Sequence, residues 1–162
     1  MINQFIENIQ IKTKQYCGFT LVELLLALVI SSILVTIAVS SYRVYMERLE
    51  NGRARTDILL IEAEIERFYT AHFSHPESLG ELTGQIPLLD PWGNPYQYLN
   101  IATTKGKGKV RKDHNMVPLN TDYDLYSIGK DGKSESPLTA KASRDDIVRA
   151  NNGGFVGLAS EY

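Results

Sequence analysis

An apolar run from Phe19 to Val39 constrains the fold of this chain more than any other feature of its sequence. The run contains no proline or glycine, and its only charged residue is Glu23. About 20 apolar residues in a helix are enough to cross the hydrocarbon core of a bilayer. An unpaired carboxylate in such a helix costs several kcal/mol, so we expect Glu23 to have a positively charged partner. We therefore predict a membrane-spanning helix, and a new amino terminus created just before Phe19 would supply the positive charge.

We interpret residues 1–18 as a leader that is removed from the mature protein. A secretory signal peptide would carry its small-residue cleavage site after the apolar run, and no such site follows Val39. Gly18 stands directly before the run, and a residue without a side chain suits a protease that works at the membrane surface. Cleavage after Gly18 would keep the helix attached and would give Phe19 a free ammonium group.

The sequence after the membrane segment, which we place at residues 19–45, is long enough for one head domain at residues 46–162. The chain has 162 residues and a formal net charge of −2, so its overall charge gives no strong attraction to nucleic acid. Its single cysteine, Cys17, lies in the predicted leader, and the mature protein would therefore have no disulfide. Small domains without disulfides often depend on a bound metal.

The helix is predicted to continue beyond the membrane, from about Thr20 to His72. Apolar residues recur there at spacings of 3, 4 and 3 and form one stripe: Ile58, Ile61, Ile65 and Phe68. Pro76 disfavours helical geometry at the residue before it and marks the end of this element. We expect the stripe to pack under the head as part of its core.

Two short strands are predicted after a turn-rich segment that begins at Asp90. Residues 96–99 and 123–128 have the composition of strands, and packing against the helix would stabilise such a small antiparallel sheet. Between them, residues 105–112 combine lysine and arginine with glycine. We interpret this basic stretch as a solvated hairpin tip, and the same composition could also bind DNA phosphates.

The residues around the predicted cleavage point, Gly18-Phe19-Thr20-Leu21-Val22-Glu23, resemble the type IV prepilin motif G-F-T-L-x-E. The resemblance implies that a prepilin peptidase cleaves after Gly18 and methylates the new amino-terminal Phe19. It also implies that Glu23 pairs with the amino terminus of a neighbouring subunit during assembly. A single-pass anchor with an incidental glutamate is the simpler alternative.

Two further motifs narrow the resemblance to one group within that superfamily. They are Asp90-Pro-Trp-Gly-Asn-Pro-Tyr-Gln-Tyr and Tyr123-Asp-Leu-Tyr-Ser-Ile-Gly-Lys-Asp-Gly132. Together they resemble D-P-W-G-x-x-Y and D-x-x-S-x-G-x-D-G in the major pseudopilins of type II secretion systems. The implied fold is α+β and type IV pilin-like: a long N-terminal helix, half transmembrane and half amphipathic, packed by a small antiparallel sheet with a calcium-binding loop.

Acidic residues at the end of the second motif and downstream of it are candidate calcium ligands. Asp131 on a turn and the pair Asp145-Asp146 offer carboxylates, which calcium prefers, but their spacing is not that of an EF-hand. From the residues alone, solvated loop acids remain the alternative. The resemblance implies one calcium ion held by Asp131, Asp145 and Asp146, with backbone carbonyls contributed by Ile128, Lys133 and Ser143. Residues 134–144, between the acidic elements, are longer than the family pattern, and the tail at 149–162 extends beyond it.

The resemblance implies a structural subunit of a pseudopilus, which polymerises and drives export of folded proteins across the outer membrane. Its expected location is the bacterial inner membrane, crossed once, with the head in the periplasm. Its expected partners are other copies of itself, the prepilin peptidase, the inner-membrane secretion platform and minor pseudopilins, and not nucleic acid. No nucleophile motif such as G-x-S-x-G indicates an enzyme. The alternatives are a type IV pilus or competence pilin that contacts DNA, and an anchored binding module that never polymerises.

Overall fold

The computed structural model describes residues 18–106, 108–114 and 117–162, so the body of the predicted leader, residues 1–17, lies outside the described residues. The chain divides into two compact units, Met1–Tyr42 and Arg43–Tyr162. A single helix, α1 (Leu21–His72), contributes residues to both units. The helix predicted from about Thr20 to His72 is therefore confirmed.

In the first unit, α1 is apolar on all sides. Its large apolar side chains from Leu21 to Val39 are all exposed in the single chain. By length and composition, α1 is the one helix among the described residues that could cross a membrane. A helix that is apolar all round is typical of a segment surrounded by lipid or by other helices.

The beginning of α1 is closed by reciprocal hydrogen bonds between Thr20 and Glu23. The backbone N–H and the hydroxyl of Thr20 both donate to Oε2 of Glu23, each at 2.8 Å. The backbone N–H of Glu23 donates to Oγ1 of Thr20 at 3.2 Å. This is a capping box, which satisfies backbone donors that have no partner within the helix.

The second unit contains a four-stranded antiparallel sheet with the strands in chain order: β1 (Gln97–Asn100), β2 (Tyr123–Ser127), β3 (Ile147–Ala150) and β4 (Phe155–Leu158). The two predicted strands correspond to β1 and β2 and are confirmed within a residue. The sheet has two strands more than the prediction. β3 is buried along its whole length, so it lacks the apolar and polar alternation that identifies a half-buried strand.

Short 3₁₀ helices lie at Leu79–Glu81, Lys141–Ser143 and Ala159–Glu161.

The main core lies between α1 and one face of the sheet. Ile58, Ile61 and Ile65 of the predicted stripe are fully buried, and Phe68 is half-buried. The three isoleucines belong to a cluster whose other buried members are Ala54, Tyr96, Tyr123, Leu125, Ile147 and Val156. Full burial of one such aliphatic side chain contributes about 1.5–3 kcal/mol. The expected packing of the stripe under the head is thus observed.

The opposite face of the sheet is covered by loops. A second buried cluster there consists of Leu119, Leu138, Val148, Ala150 and Ala159. Leu138 belongs to the long segment 134–144, and Ala159 belongs to the tail 149–162, for which the sequence suggested no role. The tail supplies β4, whose Leu158 pairs with Ile147 of β3, so it completes the sheet.

Replacing Ile61 by alanine should lower the free energy of unfolding by about 2–5 kcal/mol, because the substitution leaves a cavity in the main core. The same replacement at the neighbouring Leu60, whose side chain is 53% exposed, should change it by less than about 0.5 kcal/mol. Denaturant unfolding of the full chain in detergent micelles, followed through the fluorescence of Trp92, its single tryptophan, measures both effects. Equal losses for the two variants would contradict the assignment of the stripe to the core.

Candidate functional site

The two head motifs contact each other in the folded chain. Asp90 of the first motif accepts backbone N–H bonds from Trp92 (3.1 Å) and Asn94 (2.8 Å) through Oδ1, which closes the turn. Its Oδ2 accepts a hydrogen bond of 2.6 Å from the hydroxyl of Ser127, at the end of β2. The side-chain amide of Asn94 also donates to the carbonyl of Gly129, at 3.0 Å. Residues that resembled a family pattern separately therefore form one hydrogen-bonded unit.

The same turn is attached to α1. The indole N–H of Trp92 donates to Oε2 of Glu50 at 3.0 Å, and the Tyr96 hydroxyl donates to Oδ2 of Asp57 at 2.9 Å. Burial raises the pKa of Tyr96, and the hydrogen bond to the Asp57 carboxylate raises it further, so the hydroxyl remains a donor. The D-P-W-G turn is thus hydrogen-bonded both to α1 and to Gly129, which lies two residues before Asp131.

A glycine is required at position 129, where the backbone of Asp145 packs against the turn of the second head motif. The φ of Gly129 is +67°, in the left-handed region, and a Cβ placed on it would lie 2.5 Å from the carbonyl oxygen of Asp145. A side chain there would push the 128–132 turn away from residue 145. The glycine in the second motif is therefore explained by close packing between backbones.

Two of the predicted calcium ligands lie close together. The backbone N–H of Asp131 donates to Oδ2 of Asp145 at 3.0 Å, and the backbone N–H of Lys133 donates to Oδ1 of Asp131 at 2.8 Å. Ser143, one of the predicted carbonyl ligands, is fully buried, and its carbonyl accepts the backbone N–H of Asp146 at 3.3 Å.

The third predicted carboxylate has a different partner. Asp146 is fully buried, and its Oδ2 accepts hydrogen bonds from the guanidinium of Arg111 at 2.6 Å and from the hydroxyl of Ser134 at 2.5 Å. Burial raises the pKa of Asp146, whereas the Ser134 hydrogen bond and the charge of Arg111 lower it. The overall shift is upward. Its other oxygen, Oδ1, is buried without a hydrogen-bond partner among the described residues.

As arranged, these residues do not fit a calcium ion. Calcium takes six to eight oxygen ligands, usually with several carboxylates facing one point. In the described part of the chain, no group of three or more histidine, cysteine, aspartate or glutamate side chains is placed to hold a metal ion. Ile128 is half-buried and Lys133 is exposed. Their backbone carbonyls, which were predicted as ligands, do not replace the carboxylate of Asp146, which is already paired with Arg111. Calcium binding therefore stays a prediction from the resemblance.

A second buried arginine, Arg149 of β3, is the charged centre of the main core. Its guanidinium donates to Oε1 of Glu62 on α1 at 2.8 Å and to both carboxylate oxygens of Asp122 at 2.9 and 2.7 Å. It also lies over the ring of Tyr123, with 4.1 Å from Cζ to the ring centroid. Gly153 follows in the β3–β4 turn, where a Cβ would collide with the Glu62 carboxylate. No sequence motif pointed to this network.

The pKa of Asp122 reflects the same network. Burial acts to raise it, but the Arg149 hydrogen bond, the Tyr123 backbone N–H and the positive charge of Arg149 together hold the pKa below its ordinary value. The ionised form of Asp122 is therefore favoured in the folded chain.

The basic stretch differs from the prediction of a solvated tip. Val110 and Arg111 are buried, at 4% and 3% exposure, whereas Lys105 and Lys109 are exposed. The arginine is buried because its charge is matched by the Asp146 carboxylate. Part of the stretch thus belongs to the interior of the head, and Lys107 lies outside the described residues.

The predicted processing residues precede α1. Gly18, Phe19 and Thr20 are exposed and lie outside the helix, so a protease could reach the bond after Gly18. Within the described part of the chain, Glu23 has hydrogen bonds to Thr20 and no ion pair. The roles of Gly18, Phe19 and Glu23 stay predictions.

Comparison with known proteins agrees with the fold and with the motif before α1. Residues 13–39 match a family model described as the prokaryotic N-terminal methylation motif. The chain is 30% identical over 141 residues to the type II secretion system core protein G of Pseudomonas aeruginosa, which covers 74% of this chain and 87% of the relative. The protein of the same description from Vibrio cholerae is 27% identical over 141 residues, covering 75% of this chain and 86% of the relative.

The fold and the methylation motif define a pilin-like subunit of the membrane-anchored kind. Within that class, the chain belongs to the type II secretion system core protein G family, the major pseudopilins. The predicted α+β, type IV pilin-like fold and the predicted role as a major pseudopilin are confirmed, whereas the calcium-binding loop of that prediction stays a prediction.

Because Asp122 has a lowered pKa in the folded chain, its ionised form adds stability above the ordinary aspartate pKa of 3.8. That contribution is lost as the pH falls through the lowered pKa. Asp122→Asn should therefore reduce the free energy of unfolding by about 1–3 kcal/mol at neutral pH, because the charge-assisted bonds to Arg149 are weakened. The difference from the native chain should shrink as the pH falls below the ordinary pKa.

Urea unfolding of both chains between neutral and strongly acidic pH measures this difference. Glu161→Gln, an exposed acid in the same unit, is the control and should give no difference at any pH. A difference for Asp122→Asn that stays constant as the pH falls would contradict the assignment.

Proposed function

We propose that the chain is inserted in the bacterial inner membrane with its head in the periplasm, cut after Gly18 and methylated on Phe19. The mature subunits then polymerise through α1 into a pseudopilus, and addition of subunits pushes folded proteins through the outer membrane. The observation that carries this proposal is the prepilin-type motif placed directly before a helix that is apolar on all sides. Membership of the core protein G family supports the same route.

The exposed apolar surface of α1 supports polymerisation. The large apolar side chains from Leu21 to Val39 have no cover in the single chain. Lipid covers them before assembly, and the helices of other subunits can cover them afterwards. Transfer from lipid to a bundle of helices costs little, because lipid tails and apolar side chains are similar surroundings.

Glu23 supplies the specificity that apolar packing lacks. Its carboxylate is held by Thr20 in the single chain, and a charge in an apolar bundle is strongly destabilising unless it is paired. The ammonium group at Phe19 of a neighbouring subunit is a positive charge of the right kind. Pairing with it fixes the position of one helix along the next, because each subunit carries one such acid and one such amine.

The remaining partners follow from this route. They are the prepilin peptidase, the inner-membrane secretion platform and minor pseudopilins. Nucleic acid is not among them in this proposal, because the net charge of the chain is −2 and the arginine of the basic stretch, Arg111, is already paired with Asp146. The head acts as a structural element and not as an enzyme.

Gly18→Glu should block processing, because a charged side chain next to the scissile bond disturbs the peptide that the peptidase must grip. Mass spectrometry of the protein purified from cells that contain a prepilin peptidase should find the uncut precursor. The native chain should begin at a methylated Phe19. Gly52→Ala is a matched control, since a Cβ there meets nothing within 4 Å, and it should be processed normally. Normal processing of Gly18→Glu would contradict the cleavage site.

Glu23→Ala should insert and fold but fail to assemble. In a strain whose own major pseudopilin has been deleted, cross-linked ladders of subunits and export of a secreted enzyme should both be lost. Glu47→Ala, which removes an exposed acid further along the same helix, should retain both. Export at the native level by Glu23→Ala would remove the proposed role of the carboxylate.

A further inference from the structure

The ion pair between Arg111 and Asp146 is built into the interior of the head. The two side chains are 4% and 0% exposed, and Nη2 of Arg111 lies 2.6 Å from Oδ2 of Asp146. Nη1 of the same guanidinium donates to the Ser134 hydroxyl and to the Glu135 carbonyl, each at 2.6 Å. The Cζ atom lies 4.3 Å from the centroid of the Tyr126 ring. Most of the guanidinium is therefore matched by acceptors or by an aromatic face.

The segment 134–144 and the basic stretch at residues 105–112 run side by side, and this places Arg111 at Asp146. Lys112 and Pro137 form an isolated parallel bridge. The N–H of Lys112 donates to the Ser136 carbonyl at 3.2 Å, and the N–H of Leu138 donates to the Lys112 carbonyl at 2.9 Å. The Ser136 hydroxyl donates to the Val110 carbonyl at 2.8 Å. The segment 134–144 thus holds the backbone around Arg111 in place.

The backbone on the other side of Arg111 is fixed as well. Its N–H donates to Oδ2 of Asp124 in β2 at 2.7 Å, and Oδ1 of Asp124 accepts a hydrogen bond of 3.0 Å from Asn120. Burial raises the pKa of Asp124, and these hydrogen bonds oppose that rise. The arginine therefore has little freedom to withdraw from Asp146 and release the carboxylate to another cation.

Arg111 bonds Oδ2 of Asp146, so a divalent ion would have to use Oδ1, which is buried without a hydrogen-bond partner among the described residues, and it would share the carboxylate with a fixed positive charge. Arginine keeps its positive charge under all conditions that proteins meet, so a buried arginine needs an anion beside it. An ion bound to the same carboxylate would lie close to that fixed positive charge in a poorly screened interior. It would also compete with Arg111 for the single negative charge of Asp146, and a buried arginine whose charge is only partly compensated is destabilising.

We propose that the guanidinium of Arg111 is the resident cation of the Asp146 carboxylate in this chain. It holds the segment 134–146 to the sheet in the place that the resemblance assigns to calcium, and the stability of the head is independent of calcium. The proposal concerns the head alone and stands whether or not Glu23 acts in assembly.

The first test is thermal unfolding of the full native chain in detergent micelles, in millimolar calcium chloride and then in excess EGTA. Trp92 is a suitable probe because it lines the same surface cavity, about 540 Å³, as Asp131 and Asp145. The melting temperature should agree within about 1 °C in the two solutions, since an ion that does not bind the native state adds no stability. A rise of several degrees in calcium would overturn the proposal and support the predicted calcium site.

The second test is a double-mutant cycle on Arg111 and Asp146. Arg111→Met and Asp146→Leu should each lower the melting temperature by about 10 °C or more, because each leaves a buried charge unpaired. The double variant should recover at least half of the larger loss, since neither member of the pair is left as a lone buried charge. Arg144→Met, an exposed arginine in the same segment, is the matched control and should melt like the native chain.

Additive losses in the double variant, or a native melting temperature for Arg111→Met, would overturn the proposal. If either single variant fails to fold, the calcium and EGTA comparison on the native chain decides the question, because that comparison needs no substitution.

Discussion

The helix α1 has two halves with different surfaces, and each half needs a different environment. The rest of the structure depends on this difference. Up to Val39, α1 is apolar on all sides and has no cover within its own chain. Further along, the apolar residues narrow to one stripe that includes Ala54, Ile58 and Ile65. The stripe needs a partner surface, and the sheet supplies it through residues such as Tyr123. The head can therefore be understood as the cover for the amphipathic half of a helix whose other half belongs in lipid.

The charges of the core are arranged around the same contact. Arg149 in β3 reaches Glu62 on α1 and Asp122 before β2, so one side chain joins the helix, the sheet and a loop. Buried charges of this kind add little net stability when paired, but they penalise any packing that separates them. Apolar contacts alone would tolerate small shifts of the helix along the sheet, whereas a guanidinium with fixed partners does not.

The elements that could be predicted from the sequence are those with local signals. The stripe of α1 has helical spacing, β1 and β2 follow turn residues, and the prepilin-type motif lies directly before an apolar run. β3 is buried on both faces, so its sequence shows no alternation. Arg111 and Asp146 are 35 positions apart in the chain, and no local sequence pattern indicates that they pair. The basic stretch suggested a solvent-exposed tip because composition does not reveal which of its charges finds a buried anion.

The link between Arg149 and Glu62 also bears on when the head can fold. The two residues are 87 positions apart in the chain, and β4 follows Arg149. The ribosome therefore completes α1 well before it makes the strands that close the core over it. During that interval the amphipathic half of the helix has no sheet to pack against, and its isoleucine stripe stays uncovered by its own chain. Long-range contacts of this kind form late, so the nascent head stays open until the C-terminal hairpin has been synthesised.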